Sequence, residues 1–234
     1  MAVVVAALGM IGSGVAFAGP RAAGCKPSPR AYTTAAPAAA LLDVVGVLRD
    51  PATTADRTFA REFKAAAAAN PGRFSGRITF VNYFRLARVV GGIYYYLVPV
   101  IRVSCDGAQS ADGISVMGRG GSYCCDYAPA IARGQASVSS GSGSSRGPTT
   151  IVTLIPDGVA SITIDLSAGT TPHYPRLPDG KLQQEYNKAY TTTTPIVGNL
   201  LVVIVPGAPG RINNPLTVQW RSTTGHVLRT LSHL

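Results

Sequence analysis

IYYYLVPVIRVSC, residues 93–105, is the stretch on which the fold turns. Its side chains divide by parity into two apolar sets. Tyr95, Leu97 and Ile101 stand on one side, and Tyr94, Tyr96, Val98 and Val100 on the other. Successive side chains of a strand point to opposite faces, so a strand with this pattern needs cover on both. The segment before it, 78–90, is β-branched and aromatic, and Gly91-Gly92 supplies the turn of a hairpin.

The cover comes from upstream. Residues 41–48 are densely apolar and stop at Asp50-Pro51, because the residue before a proline disfavours helical backbone. Thr53, with Asp56 three residues on, fits a capping box. Phe59 and Phe63 share one helical face and run into the alanines of 65–69, and Asn70-Pro71-Gly72 ends the helix. The spacing predicts helices over 41–49 and 54–69. The expected fold class is therefore α+β: two N-terminal helices packed on an antiparallel β-sheet, followed by a β-rich meander.

Residues 106–123 read as a Gly- and Asp-rich loop, and 126–133 as a short helix ended by Gly134. SVSSGSGSSRGPTT, 137–150, is low-complexity sequence, expected as a loop or linker. After it, strands over 150–155 and 159–166 flank Pro156-Asp157-Gly158, where Pro presets φ and Gly takes a positive one. Further strands are expected at 195–205 and 216–220, and Thr224-Gly225 turns the chain into 226–231. The parts are then 1–18, 19–40, 41–136, 137–150 and 151–234, the last either separate or one domain with 41–136.

Residues 2–18 carry no charge and end in Ala16-Phe17-Ala18, an A-x-A site with cleavage before Gly19. The run is shorter than the roughly 20 apolar residues a spanning helix needs. It reads as a signal peptide without a basic start, since Arg21, Lys26 and Arg30 all follow it. Residues 19–40 are a Pro/Ala-rich tether. The expected location is secreted or cell envelope, with no membrane span after cleavage. Ala22-Ala23-Gly24-Cys25 partly resembles a lipobox, but lacks its Leu.

Export gives the four cysteines a meaning. Cys25, Cys105, Cys124 and Cys125 are an even set in an oxidising compartment, which reads as a disulfide framework. Four cysteines allow three connectivities. Joining Cys124 to Cys125 needs a strained ring between neighbours. The other two both tie the vicinal pair to Cys105 and Cys25. Zinc would need C-x2-C spacing or nearby histidines, and neither is present. No metal and no cofactor is expected.

Five segments resemble a group of uncharacterised exported proteins of high-GC Gram-positive bacteria: VGVLRDPATTADR (45–57), IYYYLVP (93–99), TIVTLIPDGVASITI (150–164), VGNLLVVIVP (197–206) and VQWRSTTGHVLRT (218–230). The resemblance implies export and a β-rich C-terminal part. It carries no catalytic residues to transfer.

The chain of 234 residues holds 21 Lys+Arg against 11 Asp+Glu, a formal charge of +10. All but four of the cations are arginine, whose planar fork suits carboxylate and phosphate partners. The densest patch is the first hairpin, where Arg77, Arg85, Arg88 and Arg102 interleave with Tyr94 and Tyr96. Cations among aromatics on a sheet can grip a polyanion. These six are the candidate binding residues.

Motifs of catalysis are weak here. Gly143–Gly147 matches G-x-S-x-G around Ser145, yet lies inside Ser/Gly repetition rather than between a strand and a helix. Asp106, Asp112 and Asp126 lack EF-hand spacing and read as turn residues. The expected function is an exported, non-enzymatic envelope or extracellular module that binds an anionic glycan or a protein, not nucleic acid. The alternative is an exported hydrolase, with His173 or His226 set against a Ser or Cys in space.

Overall fold

Gly91 and Gly92 take φ of +57° and +76°, the pair of left-handed conformations that a tight hairpin turn requires. They join two strands of the first of two units, Met1–Ala128 and Pro129–Leu234. The computed structural model describes residues 32–70, 76–104, 107–118, 121–136, 139–142, 149–166, 190–205 and 216–232.

The first unit is a sheet backed by one long helix. Its strands are β1 (Tyr32–Thr33), β2 (Arg77–Phe80), β3 (Arg85–Val90), β4 (Ile93–Arg102), β5 (Gly113–Gly118) and β6 (Gly121–Tyr127). The order is β1-β2-β4-β5-β6, with β3 also paired to β4. Strands β2 and β3 lie end to end along one edge of β4, separated by a 3-10 turn at Val81–Tyr83. That gap falls opposite Val98 and Pro99, which pair only with β5. A proline offers no N–H to a ladder, so the break sits where it costs least.

The helices are α1 (Ala39–Val44) and α2 (Thr54–Ala69), with a 3-10 turn at Gly46–Arg49 between them. The capping box starts α2, with the side chains of Thr53 and Asp56 each bonded to the other's backbone N–H. Its apolar face meets the even-numbered face of β4. Phe59 stacks on Tyr96 at 4.0 Å, and Phe63 meets Phe84 edge-on at 5.3 Å. Val81, Val98, Val100 and Ala67 complete this core. Each such aromatic, fully buried, contributes roughly 1.5–3 kcal/mol. The odd-numbered face of β4 is buried as well, Leu97 completely.

The α+β expectation is corrected: the chain is mostly β, and no layer of two N-terminal helices exists. The segment read as helix 41–49 breaks after six residues. Its N-cap, Ala38, offers no side-chain cap, Gly46 interrupts it, and a helix this short is marginal alone. Strands β5 and β6 occupy most of what reads as loop. Their glycine borders hide β5, but Ile114 and Val116 are buried in the sheet.

The second unit begins with α3 (Ala128–Ala132), which ends in a Schellman motif. Gln135 N–H donates to Ala130 O, Gly134 N–H donates to Ile131 O, and Gly134 takes φ +68°. Seven strands follow: β7 (Ser139–Ser142), β8 (Thr149–Leu154), β9 (Ser161–Leu166), β10 (Tyr190–Pro195), β11 (Leu200–Val205), β12 (Leu216–Arg221) and β13 (Val227–Leu231). They form two sheets, β11-β8-β7 and β10-β9-β12-β13, every pairing antiparallel. Ile151, Leu201 and Val203 of one sheet and Ile162, Ile164, Val218 and Trp220 of the other make one core.

This arrangement is a Greek-key sandwich rather than the expected meander, because the chain changes sheet after β8, β10 and β11. The order is immunoglobulin-like. It differs from the antibody constant pattern in placing the fourth strand beside the third. Alternation shows which residues face the core, but not which sheet a strand joins.

Candidate functional site

Arg85 is 6 % exposed, and all five of its N–H donors are used. Nε and Nη2 donate to Asp50 O at 2.9 and 2.7 Å, and Nη2 also donates to Leu48 O at 3.2 Å. Nη1 donates to Asn82 O and Phe84 O at 3.1 and 2.7 Å. The guanidinium thus satisfies carbonyls left over where the 3-10 turn at Gly46–Arg49 ends. Burial lowers its pKa, while the carboxylates of Asp56 and Asp50 act to raise it.

Asp56 is the reciprocal tie, and it is also buried. Oδ2 accepts from Thr53 N and Oγ1 at 2.7 and 2.8 Å, and Oδ1 accepts from Leu86 N at 2.6 Å. Leu86 N sits at the bulge of β3, where the ladder is interrupted. One carboxylate therefore starts the helix and pins it to the strand. Segment 45–57 and the hairpin meet through these two side chains.

The six candidate binding residues do not converge. Arg85 is taken into the fold. Tyr96 is half-buried under Phe59. Arg88 pairs with Tyr95 and Val89 with Tyr94, so Arg88 and Tyr94 lie on opposite faces. Tyr94 is 51 % exposed. Arg77 and Arg102 are direct cross-strand partners at the far end of β4. At ~3.4 Å per residue they are about 27 Å along the strand from Tyr94. Burial lowers the pKa of Arg77, and the neighbouring charge of Arg102 lowers it further.

Beside the Arg85 knot lies an open cleft of about 450 Å³. Its polar lining includes Thr34, Arg49, Asn82 and Tyr83. Asn82 Nδ2 donates to Thr34 O at 3.1 Å, and Arg49 Nη1 to Leu42 O at 2.5 Å. These bonds hold the walls to one another. Asp112 has a similar part, accepting from Ala38 N just ahead of α1.

The second unit holds comparable ties that sequence reading missed. Gly198 and Asn199 both take φ +59°. Asn199 Nδ2 donates to Ile155 O at 3.0 Å and to Asp157 Oδ1 at 2.8 Å, and Ile155 N donates to Asn199 O at 2.9 Å. Segments 150–164 and 197–206 are joined here. A Gly-Asn pair before an apolar run is a tight-turn signal that could have marked the position. On the outer face of the four-stranded sheet, Arg221 donates to Thr163 Oγ1, Gln219 Oε1 and Gly225 O.

His226 is exposed, and it is its backbone N–H that donates to Ser222 Oγ, at 3.2 Å. His173, Ser145, Cys25, Cys105 and Asp106 lie outside the described residues, and so does the signal segment. Cys124 and Cys125 fall on β6, but their side chains are outside the described set. Among the described residues no group of three His, Cys, Asp or Glu could hold a metal ion. No helix of those residues is long and apolar enough to cross a membrane. No family model matches the sequence, and no curated protein matches it.

Proposed function

We propose that this protein is an exported, non-enzymatic module of the cell envelope or extracellular space that binds an anionic polymer through its arginine-rich surface. The observation that carries the reading is the use of the buried charges. Asp56 and Arg85, the buried charged side chains of the described residues, are both ties within the fold. Chemistry at a protein surface is then left to exposed groups, and the chain's excess there is cationic, +10 overall. An excess of one sign raises the local concentration of oppositely charged partners. The resemblance to exported proteins and the A-x-A site at Ala16–Ala18 support the compartment.

Fractionation of the native cells tests the reading. The expected result is mature protein beginning at Gly19, recovered from the envelope or the medium. Protein recovered from the cytosol with Met1 in place would contradict it.

A further inference from the structure

Arg77 and Arg102 face each other across β2 and β4. Val103 N donates to Gly76 O at 2.9 Å, so the pair 76–103 is a hydrogen-bonded one and the next pair, 77–102, is not. The backbone of Arg102 confirms the alternation. Its N–H donates to Ser110 Oγ and its carbonyl accepts from Ser110 N, both away from β2. Non-hydrogen-bonded pairs bring Cα atoms to about 4.5 Å and their side chains closest together. Two guanidinium stems thus leave one face of the sheet side by side.

Like charges placed directly opposite destabilise a sheet unless something lies between them. The next row inward on that face is Thr79 opposite Val100. The Thr79 hydroxyl is buried and has no hydrogen-bond partner among the described residues. This end of the sheet therefore gathers two cationic forks and an unsatisfied polar atom.

We infer that Arg77 and Arg102 form a two-fork clamp for an oxyanion, a phosphate or carboxylate group carried by an extended polymer. The inference rests on the anionic-partner reading above and gives it a location. Each planar fork takes two oxygens of such a group, and the bound anion removes the repulsion between the forks. Recognition is of the repeated charge, so a chain of oxyanions binds better than a single one.

The test uses the full mature chain with two probes, inorganic polyphosphate and poly-glutamate, at low salt. Their relative affinities decide which oxyanion the clamp prefers. Arg77→Gln/Arg102→Gln is expected to bind the preferred probe about tenfold more weakly, while Arg133→Gln, an exposed cation of the second unit, binds as wild type. Without anion, Arg102→Gln is expected to raise Tm, and polyphosphate is expected to raise wild-type Tm more than the variant's. If wild type and the double variant bind equally, the clamp is overturned and the anionic-partner reading stands. If wild type binds neither probe, both fail. A Tm lowered by Arg102→Gln and unmoved by the probe also overturns the clamp, because it marks the pair as structural. Should the double glutamine variant not fold, Arg77→Lys/Arg102→Lys keeps the charges and removes the forks. Weaker binding then supports the clamp, and unchanged binding overturns it.

Discussion

The two units lock their sheets by different chemistry. In the first, the ties are charged: Arg85 closes carbonyls of the helical segment, and Asp56 closes a helix N-terminus and a bulged strand. In the second, the central tie is a neutral amide, Asn199, and the tightest contact is apolar, with Trp220 pressed on Gly134. The difference follows from what each must join. A helix and a 3-10 turn end in orphan N–H and C=O groups, and charged side chains satisfy several at once. Two stacked sheets present few such orphans, so shape and turn geometry decide.

The largest effect is expected where the charged tie is removed. Arg85→Met leaves four carbonyl-bearing residues short of donors and should cost about 4 kcal/mol by urea denaturation followed by circular dichroism. Arg85→Lys should recover little, because an ammonium has three donors and no fork. A loss near zero for either would break the comparison.

The glycine contacts sharpen it. A Cβ on Gly134 would lie 2.7 Å from Trp220 Cζ2 and 2.8 Å from Leu231 Cδ1, on a backbone already at φ +68°. Gly134→Ala should cost about 3 kcal/mol, strain and overpacking together. Trp220 is the single tryptophan, so its fluorescence reads this transition directly. In the first unit, a Cβ on Gly118 would meet only the Tyr95 ring, at 2.9 Å, without a positive φ. Gly118→Ala should cost about 1 kcal/mol. Equal costs at the two sites would show that backbone conformation contributes nothing at Gly134.

Asn199→Ala removes two side-chain hydrogen bonds and puts alanine at φ +59°, for about 2 kcal/mol. Asn199→Gly, which keeps the conformation but not the bonds, should cost less in the same melt. An equal loss would assign the whole effect to the bonds.

The smallest effect is alkaline and belongs to the first unit. Burial raises the Tyr96 phenol above its ordinary value, with smaller contributions from the charges of Asp56, Glu62 and Tyr94. The unfolded chain then loses this proton first, so above about pH 10 it binds fewer protons than the native state and stability falls. Tyr96→Phe should flatten that fall. An unchanged alkaline slope would place the sensitivity elsewhere.

Local signals were legible in the sequence. The Thr53–Asp56 capping box, the Gly91-Gly92 turn, the glycine end of α3 and the turn at Gly158 all depend on residues a few positions apart. Partners far along the chain were not. Strand β7 is Ser139–Ser142, whose composition reads as linker and which becomes an edge strand only through its pairing with β8. The candidate patch failed for a similar reason. A list of arginines and tyrosines gives neither the bulge between Leu86 and Arg88 nor the burial of Arg85. Of the six residues, the close pairing of Arg77 and Arg102 follows only from the register.

The most direct test of the whole account is a salt titration of the mature chain's affinity for negatively charged wall polymer from its own cells. The account predicts binding at low ionic strength that weakens steeply as the screening length falls below about 10 Å near 0.1 M salt. Binding that is indifferent to salt, or no binding at any ionic strength, would contradict it.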